Sequence, residues 1–176
     1  MMAAVRRWLL AVFLLLALVL EGSLARFLHP ILWQGASFYL TLIGLSVAGL
    51  NQPRDPSLLW LAGVLGFLSD SYYLGVIGIS LVSFPLLVLL AQRSARVLPE
   101  VPWVKMLFVL GLYLLQYLYA SLVMRGLGLA NITGHSFLMG LWANLASGIL
   151  WILLTFWLWQ LVSAKFPFLS RGDDLY

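Results

Sequence analysis

The chain contains no cysteine, and charge is scarce: Asp, Glu, Lys and Arg make up 9% of its 176 residues. Without cysteine there is neither a disulfide framework nor a thiolate metal site. The two histidines, His29 and His135, stand alone with no second ligand at metal spacing. Also lacking are a phosphate-binding glycine loop, an HExxH pair and a nucleophile elbow. Ser83, Ser136 and Ser147 have no evident base. No catalytic residue, metal or cofactor is therefore expected. What fills the chain is apolar: 63% hydrophobic residues and a mean hydropathy of +1.02. A soluble domain carries about 45–50% apolar and about 25% charged residues, so this composition describes an integral membrane protein. A pI near 9.7 often signals nucleic acid. In a membrane chain the basic residues instead set topology, and no nucleic-acid partner is expected.

Hydropathy divides the chain into six segments, 8–28, 31–50, 57–70, 72–92, 103–124 and 137–162, with a polar tail over 163–176. A membrane-spanning helix needs about 20 apolar residues. The third segment has only 14, about 21 Å at 1.5 Å per residue; it either continues through Tyr73 or turns inside the membrane, where protein must cover it. Arg6-Arg7 before an apolar run, with Ser23-Leu24-Ala25 behind it, imitates a secretory signal. Glu21 and Arg26 flank that site awkwardly, and an uncleaved first helix is expected. With six crossings and the N-terminus inside, Arg6, Arg7, Arg54, Arg93, Arg96, Lys105, Lys165 and Arg171 fall on the inner side. Only Arg26 and Arg125 fall outside, which accounts for all ten basic residues. The positive-inside rule then places both termini in the cytoplasm. The expected fold is an all-α, six-helix transmembrane bundle forming a single domain over 1–176. Trp8, Trp33, Trp60, Trp103, Trp157 and Trp159 lie near segment ends, as interfacial anchors do.

Charge inside the apolar segments is the informative exception. A carboxylate at membrane depth costs about 2.5–3.5 kcal/mol on insertion scales. Glu21, Arg26, Asp70 and Arg125 all fall toward the outer side, and an outer cluster is expected in which Asp70 or Glu21 pairs with Arg26 or Arg125. Gln116 and Asn144 sit deeper and read as interhelical hydrogen-bonding groups. Small residues recur at helix-packing spacing: Gly44 with Ala48, Gly140 with Asn144 and Gly148, Ala143 with Ser147. Asn131-Ile132-Thr133 matches a glycosylation sequon, a pattern too short to carry weight.

The segment Gly66-Phe67-Leu68-x-Asp70, followed by Leu74-Gly75-x-x-Gly78 and an apolar helix holding Pro85, resembles the central signature of the rod shape-determining protein MreD family. Glu21-x-Ser23 is similar to a feature of some members. Specific residues match only over 63–90, the six-segment layout over nearly the whole chain. The resemblance implies a non-enzymatic scaffold of the bacterial cytoplasmic membrane, acting in cell elongation. Its implied partner is the bitopic MreC. The wider complex would hold the actin-like MreB, a SEDS-type glycosyltransferase and a class B penicillin-binding transpeptidase, directing lateral peptidoglycan synthesis and cell shape. The partner surface would be the outer side of the hairpin, 69–78, with Tyr72 and Leu74, beside Glu21, Arg26, Asp70 and Arg125. Gly66, Asp70, Gly75 and Gly78 form the hairpin motif. The basic loop 93–105 would meet lipid or cytoplasmic partners. The layout is also similar to the substrate-binding S components of energy-coupling-factor vitamin transporters, which supplies the alternative function. That reading calls for a polar vitamin pocket and a small-residue stripe on the first helix. Ala3, Ala4, Ala11 and Ala17 form no such stripe.

Overall fold

A computed structural model describes the backbone of residues 2–32, 38–129 and 133–165, and the side chains of 8–27, 38–129 and 133–158. Among the described residues all regular structure is helical: α1 (Met2–Leu32), α2 (Leu40–Asn51), α3 (Ser57–Ser69), α4 (Ile79–Ser94), α5 (Pro102–Gly126) and α6 (Gly134–Lys165). A π-helical turn, Asp70–Leu74, extends α3. The third segment thus runs past Tyr73 before the chain reverses. Gly75 stops it with φ +66, and its N–H returns to the Asp70 carbonyl at 2.8 Å. Gly78, at φ +121, opens α4. Both backbone settings strain any residue with a Cβ.

Two boundaries differ from the expected ones. α2 begins at Leu40 rather than residue 31, because α1 continues to Leu32 and 33–37 lie outside the described residues. α4 begins at Ile79 rather than residue 72, because the π turn and two left-handed glycines consume the intervening chain. Among the described residues three helices are long and apolar enough to cross a bilayer: Trp8–Phe27, Pro102–Gly126 and Gly134–Leu158. α2, α3 and α4 are shorter, at 12, 13 and 16 residues. The tail beyond residue 165, the side chains of Arg6, Arg7, His29 and Trp159, and Trp33 and Asn131 all lie outside the described residues. α1 runs unbroken through Ser23–Ala25.

α2 is the hub. It touches every other helix, and nine of its residues, Thr41 to Leu50 without Gly44, are buried. Such a helix must be apolar all round, and its small residues set how closely neighbours approach. A methyl at Gly44 would lie 2.8 Å from Leu14 of α1, and one at Gly49 would lie 3.2 Å from Ala91 of α4. The core around it joins Leu14, Leu42, Ile43, Leu45, Leu58, Leu65, Phe84, Val88 and Tyr113. The α5–α6 pair is keyed differently: the Tyr117 hydroxyl fills the notch at Gly140, and the Tyr113 ring and Leu110 lie over Gly148. The α3–α4 pair is tightest. A Cβ on Gly66 would collide with the Ser80 backbone of α4.

Antiparallel succession brings the ends of α1, α3 and α5 together with the starts of α2, α4 and α6. This is the hairpin end. The turns at 52–56 and 95–101 mark the opposite end.

Candidate functional site

The first four N–H groups of any helix lack an intrahelical acceptor. In an apolar surrounding each orphan costs several kcal/mol. α2, α3 and α4 solve this with one acid apiece. The Asp70 carboxylate is fully buried and takes three backbone donors at the start of α4. Oδ2 accepts Gly78 N–H at 2.8 Å and Leu81 N–H at 3.1 Å, and Oδ1 accepts Ser80 N–H at 2.7 Å. Glu21, reaching across from α1, does the same for α2. Its Oε2 accepts the Thr41 N–H at 3.0 Å and the Thr41 hydroxyl at 2.8 Å. Asp55 serves α3 through an Asx turn, Oδ1 accepting the Ser57 N–H at 3.0 Å and its hydroxyl at 2.6 Å. At the opposite end the Gln92 amide of α4 donates to the carbonyls of Gln52 (3.2 Å) and Asp55 (2.9 Å), closing the turn that leaves α2.

This arrangement corrects the expected ion pairs. Arg26 and Arg125 are exposed, and among the described residues neither meets a carboxylate. The acids are spent on helix starts, where both the donors and the positive end of the helix dipole favour a negative group. Glu21, Asp70 and Arg125 nonetheless share the hairpin end.

The hairpin motif has a mechanical explanation, residue by residue. Gly66 lets α3 and α4 touch backbone to backbone, Asp70 ties the turn to α4, and Gly75 and Gly78 supply the reversal. Tyr73 docks this unit on α1: its hydroxyl donates to the Leu18 carbonyl at 2.6 Å, and its ring covers Gly22. The opposite face of the turn is open. Tyr72 is 77% exposed and Ile77 61%, while Leu74 is half-buried.

A second polar set lies deeper, between α5 and α6. The Tyr113 hydroxyl lies 3.4 Å from Asn144 Oδ1 and 3.3 Å from Ser147 Oγ. Its ring meets Tyr39 edge to face at 5.5 Å. The Asn144 amide donates to Gly140 O at 2.7 Å. Asn144 thus links α5 to α6, as expected. Gln116 departs from its expected role: it is fully buried, and neither amide atom has a partner among the described residues. The hydroxyls of Ser46, Ser80 and Ser83 are likewise unpartnered. A shallow groove of about 230 Å³ between α1 and α3 is lined by Trp8, Leu10, Ala11, Leu58 and Leu61, with Asp55 and Ser57 already bonded to each other.

Sequence reasoning missed Thr41, Tyr73, Gln92, Tyr113 and the capping role of Asp55. Only Asp55-Pro56-Ser57 carried a readable signal, an acid followed by proline at a helix start. The others depend on which helix lies alongside.

No curated protein and no solved structure matches the chain. A family model described as rod shape-determining protein MreD matches residues 2–165, which takes in all six helices. The chain is therefore a member of the MreD family, a shape-determining structural family whose role is rod shape determination.

Proposed function

We propose that this protein is a multi-pass scaffold in the bacterial cytoplasmic membrane, crossing six times with both termini in the cytoplasm. It binds MreC and, through it, helps direct the elongation machinery in lateral peptidoglycan synthesis. The observation that carries this reading is the hairpin. Its carboxylate and its glycines are engaged in holding a rigid turn, and that turn holds Tyr72 and Ile77 outward. Exposed aromatic and apolar side chains on a fixed platform favour a macromolecular partner, since little ordering entropy is lost on binding. The charge distribution supports the orientation: Arg54, Arg93, Arg96 and Lys105 lie at the opposite end, and Arg26 and Arg125 at the hairpin end. The hairpin then faces outward, where a bitopic partner carries an exposed segment.

A photo-crosslinking residue at Tyr72 tests this in cells. MreC captured from Tyr72, with none captured from Trp60 on the outer face of α3, is the expected result. Crosslinks confined to the protein's own helices would refute the partner surface. Purification in mild detergent gives the wider test. Recovery of an ATPase pair with a transmembrane coupling protein, in place of MreC and the elongation synthase, would make the chain a transporter S component.

A further inference from the structure

The lipid-exposed sides of the bundle differ in height. α1 displays apolar side chains from Trp8 to Phe27, α5 from Trp103 to Leu122, and α6 from Leu138 to Trp157. Each row rises about 28 Å at 1.5 Å per residue, matching a hydrocarbon layer of about 30 Å. The α3–α4 side is lower. On α3 the exposed row runs from Trp60 through Val64 and Phe67 to Tyr72, about 18 Å. On α4 it comprises Val82, Leu86 and Leu90, and the whole 16-residue helix spans only about 24 Å.

These helices have no room to lengthen. Glu21, Asp55 and Asp70 close the starts of α2, α3 and α4, Gln92 ties the 52–56 turn, and Gly75 and Gly78 reverse the chain. The borders of the short face have lipid chemistry. Aromatic rings stand at both limits, Trp60 toward one end and Tyr72 toward the other, as at a membrane interface. Just beyond the Trp60 limit stand the exposed guanidiniums of Arg54, Arg93 and Arg96, which suit phosphate headgroups. An apolar stretch shorter than the bilayer is accommodated by thinning of the adjoining lipid.

We propose that the α3–α4 face is a phospholipid-binding surface that holds a locally thinned bilayer, while the α5–α6 side sits in bilayer of ordinary thickness. The inference rests on the six-crossing reading. A tilted membrane profile around one protein gives lateral direction to what otherwise is a cylindrical bundle, and lipids and neighbouring helices of matching length gather on the thin side.

The cysteine-free chain allows single nitroxide labels without background. Labels go on exposed positions, 60, 64, 67 and 71 on α3 and 103, 107, 115 and 122 on α5. The protein is reconstituted in vesicles of dioleoyl phosphatidylcholine and phosphatidylglycerol. Accessibility to oxygen and to a water-soluble nickel chelate gives the depth of each label. The expected result is that the nickel reagent reaches the labels at 60 and 71 while labels at 64 and 67 report oxygen contact, with a hydrocarbon interval about 6–10 Å shorter along α3 than along α5. Equal intervals on the two sides would overturn the proposal. So would labels at 64 and 67 shielded from both reagents, since protein rather than lipid would then cover the face. Single cysteines at 77 and 96, both exposed, challenged with an impermeant maleimide, test the six-crossing reading independently. Reaction from opposite sides supports it; reaction of both from one side removes that reading, whatever the depths show.

Discussion

Glu21 and Asp70 do the same job by different routes. Each is a buried acid that receives the orphan donors of a short helix. Asp70 draws its donors from Gly78, Ser80 and Leu81, eight to eleven residues further along one hairpin. It uses both carboxylate oxygens and meets only backbone. Glu21 reaches twenty residues on to Thr41, from a different helix, and both Thr41 bonds end on the single oxygen Oε2. The hairpin cap is therefore a local device, built from a turn and its two glycines. The α2 cap is a tertiary one, existing only when α1 lies against the hub. The lesson concerns acids buried in an apolar helix bundle. A buried carboxylate need not seek an arginine when a helix start offers several N–H groups and a favourable dipole.

The comparison can be broken most severely at Asp70. Asp70→Ala leaves three backbone donors unmatched, one buried and two part-buried, at about 1–3 kcal/mol for the buried one and less for the others. The expected loss is about 3 kcal/mol, visible as a collapsed melting transition in detergent and a void-volume peak on size exclusion. Wild-type melting would mean that lipid or water serves α4 equally well. Gly66→Ala comes next. The added methyl drives α3 and α4 apart at Ser80, with an overpacking cost of about 1–3 kcal/mol, and the α3–α4 distance measured between spin labels should grow.

The two conservative amides sharpen the contrast. Asp70→Asn must turn an NH₂ toward at least one backbone donor, because both oxygens are in use. It should cost about 1–2 kcal/mol. Glu21→Gln can set its amide oxygen where Oε2 stands and keep both Thr41 bonds, so its cost should stay under about 1 kcal/mol. Equal melting shifts for the pair would contradict the two-oxygen against one-oxygen account. The smallest effect is expected from Tyr113→Phe. The contacts to Asn144 and Ser147 are long, at 3.4 and 3.3 Å, and their share of the loss should be about 0.5 kcal/mol.

Much of the fold was legible before any coordinates. Apolar run lengths located the long helices, since an uninterrupted row of leucine, valine and phenylalanine has few other solutions. The hairpin motif was legible too, through its resemblance to the family signature over 63–90, while the place of the reversal stayed open between a turn near Asp70 and one beyond Tyr73. The starts of α2 and α4 were not legible. Both follow stretches that hydropathy joins to the helix, 31–39 and 72–78, and hydropathy does not distinguish a helix from an apolar turn. The purpose of the acids was also hidden. Charge arithmetic paired them with Arg26 and Arg125, since the sequence displays side-chain charges while the competing N–H donors belong to every residue alike. Gln116 shows the converse: it is buried in the bundle, but the expected hydrogen bond across helices is absent among the described residues.

The amino-acid sequence by itself determined that this is a helical membrane protein of the shape-determining family, with a tight, glycine-bearing hairpin around Asp70. The helical, membrane-type character follows from composition and run length, and the family and its hairpin from the residues over 63–90 that resemble the family signature; neither needs a distant contact. Only the tertiary structure decided that α2 is the central helix, that Glu21 closes its start, that Tyr73 and Tyr113 fasten neighbouring helices, and that one side of the bundle is shorter than the other. Each of these requires two distant parts of the chain to meet. In a chain so uniformly apolar, hydrophobicity gathers the helices but does not choose their neighbours; small-residue notches and a few buried polar groups do.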